Sequence, residues 1–172
     1  MIARWPRLLL SVALVATALA LQLVVLDRLR LPGGHPDLVV VVVVAAALCW
    51  GPTSGAPVGF AAGLLVDVVP PADHTVGQVA LTLTLVGYLA GLPRSAVARS
   101  AWLPLLVVAA ASVGALVVSA GLGAVLGDPR VRWAEVWRAV PAVALYDAML
   151  TPFVVPGVAA LARRLEPQLL GR

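Results

Sequence analysis

Leu38-Val39-Val40-Val41-Val42-Val43-Val44-Ala45-Ala46-Ala47-Leu48-Cys49-Trp50 runs into Gly51-Pro52-Thr53-Ser54, and Gly55, Gly59, Gly63 and Asp67 follow at every fourth position. In water, six consecutive valines favour a strand. In lipid the backbone must satisfy its own hydrogen bonds, and the same valines form a helix. Composition decides between the two solvents. The 172-residue chain is 62% hydrophobic and 12% charged, with a mean hydropathy of +1.03, whereas a soluble domain is roughly 45–50% apolar and about 25% charged. A chain of this size buries only about two-thirds of its surface, so the remaining apolar surface needs lipid. A water-soluble enzyme, a nucleic-acid binder and a disordered scaffold are all disfavoured.

The fold expectation is therefore an all-α integral membrane protein forming one domain over residues 1–172. Apolar segments fall at about 8–26, 38–50, 55–69, 76–92, 101–126 and 134–162. Thirteen residues rise only about 20 Å against a ~30 Å hydrocarbon core. Fusing 38–50 with 55–69 would give about 48 Å of helix broken by Gly-Pro-Thr-Ser. Two short or partly re-entrant helices fit better, which makes a six-helix transmembrane bundle with both termini on one side. The first run is longer than the ~7–15 residues of a secretory signal core, so a retained first helix is expected.

Twelve arginines and no lysine account for the net charge of +4 and the pI near 10.6. They lie between the apolar runs. With the N-terminus inside, Arg4, Arg7, Arg94, Arg99, Arg163, Arg164 and Arg172 are cytoplasmic, as the positive-inside rule favours. A five-segment arrangement with the N-terminus outside scores equally, and the Gly-Pro break is what selects six. Trp5, Trp50, Trp102, Trp133 and Trp137 all fall at expected helix ends, the pattern of an interfacial aromatic belt. The lone Cys49 excludes an intramolecular disulfide and reads as a structural thiol.

Gly55, Gly59 and Gly63, with Asp67 at the outer end, form a stripe that admits a close neighbouring helix. Gly87 and Gly91, and further on Ser119, Gly123 and Gly127, repeat the spacing. Packing within one bundle is the simpler role and a partner-binding face the alternative. Asp67 and Asp147 are intramembrane polar residues. A charge there costs about +2.5 to +3.5 kcal/mol even on the lenient insertion scale, so each is held by hydrogen bonds or serves a proton path. Tyr146-Asp147 and Gly127-Asp128 touch the motifs of intramembrane aspartyl proteases, but residues 125–128 read Val-Leu-Gly-Asp and belong to a loop. His35 and His74, on separate loops, make a poor metal pair. No catalytic residue, metal site or cofactor is expected.

Pro36-Asp37 opening a short apolar helix, Gly51-Pro52, the run Gly59-Phe60-Ala61-Ala62-Gly63-Leu64-Leu65-Val66-Asp67, Gly77, Leu85-Val86-Gly87-Tyr88-Leu89-Ala90-Gly91, and Tyr146-Asp147 with Pro152 occur in an order that resembles the rod shape-determining protein MreD family. The resemblance spans essentially the whole chain and is most specific from Gly51 to Gly91. The family often carries Asn where this chain has Asp147. The resemblance implies a non-enzymatic subunit of the bacterial cell-elongation complex in the cytoplasmic membrane, binding a single-pass MreC-like protein. It also implies links, direct or indirect, to MreB and to the peptidoglycan synthase formed by RodA and a class B penicillin-binding protein. It further implies a fold similar to the S components of energy-coupling-factor transporters, with both termini cytoplasmic. The competing readings are a vitamin-uptake subunit with an outward polar pocket and a proton-coupled transporter using Asp67 and Asp147.

Overall fold

The computed structural model describes the backbone of residues 5–26, 34–69 and 77–170, with side chains over 10–24, 34–69 and 77–164. Among these, all regular structure is helical: α1 (Trp5–Leu21), running into a π-helical turn (Gln22–Leu26), α2 (Leu38–Trp50), α3 (Pro52–Val68), α4 (Gln78–Gly91), α5 (Arg94–Val97), α6 (Leu103–Val125) and α7 (Trp133–Leu170). The described helices number seven, not six, because the basic loop carrying Arg94 folds into the single turn α5.

The expected Gly-Pro-Thr-Ser break shrinks to one residue. Gly51 adopts φ 83°, a conformation that an L side chain resists, and its N–H still bonds to the Ala47 carbonyl at 2.7 Å. Pro52 then occupies the first turn of α3, where a missing N–H costs nothing. The chain thus reverses at Gly51 alone, and Thr53 and Ser54 are already helical. Further along the chain, α7 continues past 162 through Arg163 and Arg164. Pro141, Pro152 and Pro156 lie inside it without ending it.

Helix α2 is the centre of the molecule. All six valines, 39–44, are between 0 and 6% exposed, and α1, α3, α4, α6 and α7 all touch the helix. A helix apolar on every side is one surrounded by protein or lipid, and here protein surrounds it. Trp50 at its end is 7% exposed and packs with Ala46, Val58 and Ala162. It therefore departs from the expected lipid-facing belt, while Trp102 (75%), Trp133 and Trp137 remain on the outside.

The hairpin α3–α4 is the closest helix pair. A Cβ on Gly59 would strike the Leu83 carbonyl, one on Gly63 the Ala80 backbone, and one on Gly55 the Gly87 carbonyl. Gly87 faces Gly55 in return, and a Cβ on Gly91 would lie 2.6 Å from Pro52 Cα. The stripe serves an intramolecular contact: α4 occupies the face that a partner helix would need. That is small-residue packing as lipid requires it, since no hydrophobic drive separates helix from lipid tail.

Candidate functional site: two helix starts inside the bundle

Helices α2 and α4 are too short to cross a ~30 Å core, at about 20 Å each. Their C-terminal ends share one level: Trp50 lines a cleft with Arg94 and Arg163, and Gly91 packs on Pro52. Their N-terminal ends consequently stop about 20 Å from that level, inside the bundle. The first N–H groups of any helix lack intrahelical acceptors, and at membrane depth no bulk water is present to serve them. Both intramembrane aspartates answer that demand.

Asp67, 1% exposed near the end of α3, accepts from the N–H groups of Gly77 at 2.9 Å, Ala80 at 3.1 Å and Val79 at 3.3 Å. One carboxylate thereby serves three N–H groups at the start of α4, where the helix dipole also favours negative charge. Asp147, 0% exposed on α7, accepts from the Asp37 N–H at 2.8 Å through Oδ1. The Asp37 side chain accepts from the Val40 N–H at 3.1 Å, and Gln22 Oε1 accepts from the Val39 N–H at 3.3 Å. The π-helical turn that closes α1 delivers Gln22 to this point. Three side chains from three regions of sequence therefore serve the start of α2.

Sequence reading singled out Asp67 and Asp147 but placed neither at a helix start, and the structure assigns them to different ones. It missed Gln22, Ser112 and Thr82. Gln22 sits in an apolar run and reads as tolerated, though a lone amide among residues 8–26 is a usable signal. Gln78 donates to the Ser119 carbonyl at 2.8 Å, and Ser119 Oγ donates to Thr82 Oγ1 at 3.2 Å, tying α4 to α6. His74 and Asp73 lie outside the described residues. Among the described residues no group of three metal-ligating side chains converges.

The interior holds several polar side chains and the outside is strongly apolar. Ser11, Asp67, Thr82, Ser112, Asp147 and Thr151 are buried at 2% or less, while Phe153, Leu106, Met149, Leu145 and Leu81 stand more than half exposed. Water would reverse that arrangement and lipid demands it. Helices α6 and α7 are each long and apolar enough to cross a bilayer. The class is thus an all-helical integral membrane protein with capped helix starts in its interior. A family model described as rod shape-determining protein MreD matches residues 3–164, and the chain belongs to that family. Its members are shape-determining membrane proteins of the MreBCD complex, and the family is not a known enzyme family. No curated protein and no solved structure matches the chain.

Proposed function

We propose that this chain is the multi-pass, non-enzymatic subunit of the cell-elongation complex, binding the membrane helix of an MreC-type partner. Through that partner it helps connect cytoplasmic MreB with the RodA and penicillin-binding-protein synthase. The observation that carries the reading is the family match over residues 3–164. In this reading α1, α2, α3, α4, α6 and α7 form an S-component-like six-helix bundle. Arg94, Arg99, Arg163 and Arg164 mark the cytoplasmic side, α5 lies at that surface, and both termini are cytoplasmic.

The partner's helix is assigned to the lipid-facing trough between α4 and α6. This trough of about 310 Å³ is lined by Leu85, Leu89, Pro93, Ala110, Ala111 and Gly114 among others. Nothing lies within 4 Å of a Cβ added to Gly114, so this small residue is not required by the chain's own packing, in contrast to the glycines of α3. An apolar trough of this kind accepts a single apolar helix and rejects a charged segment.

Mild-detergent purification of the tagged chain from its native membranes, with mass spectrometry of what is retained, tests the reading. Stoichiometric recovery of an MreC-type protein is expected, falling at least several-fold in Gly114→Leu while membrane insertion is kept. Recovery of an ATPase module instead would overturn the reading in favour of the uptake subunit. Undiminished recovery in Gly114→Leu would move the partner off the α4–α6 trough.

A further inference from the structure

A cavity of about 430 Å³ lies between α2, α4, α6 and α7, and Asp37, Thr82, Ser112 and Ser119 are among its lining residues. We propose that it binds a small amphiphilic organic ammonium ion, held at the polar end by Ser112 and Asp37. The site is separate from the lipid-facing trough, and the partner assignment and this one can fail independently.

The first argument is a shortage of donors. At the polar end the N–H groups of Asp37, Val39 and Val40 are already taken by Asp147, Gln22 and Asp37. Ser112 Oγ, 2% exposed on the cavity wall, and Asp147 Oδ2, fully buried beside it, have between them only the single Ser112 hydrogen and no other hydrogen-bond partner among the described residues. Ser112 has one hydrogen to give and two lone pairs to fill. A buried oxygen left unsatisfied is costly, and whatever completes this set must bring N–H or O–H groups.

Charge narrows the class. Two carboxyl groups, Asp37 and Asp147, stand together at that end with His35 beside Asp37, and among the described residues no arginine lines the cavity. An anion would meet two carboxyls, whereas an ammonium brings three donors and the complementary charge. Size and wall chemistry supply the rest. Val40, Val79, Leu83, Leu116 and Val143 make the remaining wall apolar, and the volume falls within the ~300–1,000 Å³ of small-molecule sites. An alkyl or single-aromatic tail attached to the ammonium fits both.

Tryptamine is the probe, with indole-3-propionate as the anion of similar shape and 3-ethylindole as the neutral one. Thermal unfolding of the full chain in detergent is followed against probe concentration. A saturable rise in midpoint is expected for tryptamine, with at least tenfold weaker half-saturation for the other two. Ser112→Ala is expected to weaken tryptamine about tenfold, as loss of one charge-assisted hydrogen bond should. Equal response to all three probes means apolar partitioning, no saturable response means a water-filled void, and either result overturns the proposal. If Ser112→Ala fails to fold, Leu116→Trp fills the apolar end instead, and saturation retained in that variant also overturns it.

Discussion

An intramembrane carboxylate needs several donors, and a helix start that ends inside the bundle offers the densest set of them. Asp67 takes three N–H groups at once, so Asp67→Ala strands all three at a site shielded from water. A loss of about 3 kcal/mol or more in unfolding free energy is expected from penalties of about 1–3 kcal/mol per unsatisfied buried group. Asp67→Asn keeps one acceptor oxygen and should lose about 1 kcal/mol. Equal stability of both variants and the parent in detergent unfolding would show that the α4 start is served from elsewhere. Asp147 is the contrasting case, because it accepts one backbone N–H through Oδ1 and has Ser112 beside it. Asp147→Asn keeps that acceptor and turns Oδ2 into an amide donor towards Ser112 Oγ, which can accept as well as donate, so stability should stay within about 1 kcal/mol of the parent.

At the scale of elements, two glycines of identical chemistry have opposite prospects. Gly59 faces the Leu83 carbonyl so closely that even one methyl group cannot enter. Gly59→Ala should split the α3–α4 hairpin at a cost of about 1–3 kcal/mol, and Gly59→Leu should abolish folding. Gly114 has open space around its missing side chain, and Gly114→Ala should stabilise α6 by about 0.5–1 kcal/mol through reduced backbone freedom. Thermal midpoints of the two alanine variants, measured side by side, should move in opposite directions. A common direction would mean that α4 does not seat against the α3 stripe. The spacing of four shows where a helix can approach. It cannot show which helix does, since Gly55, Gly87 and Gly123 all read alike in the sequence.

Across the whole molecule, the proposed topology puts the end bearing Arg94, Arg99, Arg163 and Arg164 and the α6–α7 turn in different compartments. In a Cys49→Ala background, Ser100→Cys lies beside α5, and Arg130→Cys lies in the α6–α7 turn. Membrane-impermeant thiol reagent applied to whole cells should label Arg130→Cys and leave Ser100→Cys unlabelled until the membrane is opened. The reverse pattern would place the arginine-rich end outside and invert the proposed topology.

The sequence by itself determined the solvent, the helical class and the family. These depend on composition, on how long each apolar run is and on the order of motifs, all of which survive without coordinates. It also located Asp67 and Asp147 as costly residues, because a charge within an apolar run is visible in one dimension. Only the tertiary structure decided what these residues do. Capping α2 joins Gln22, Asp37 and Asp147, the last of them 110 residues from Asp37 along the chain. Capping α4 draws on Asp67, which belongs to the preceding helix. The closure at Gly51, the burial of Trp50 and the cavity behind Ser112 were equally hidden. Helix length can show that α2 and α4 stop short of the membrane surface, but the groups that meet their unbonded ends are chosen by packing alone.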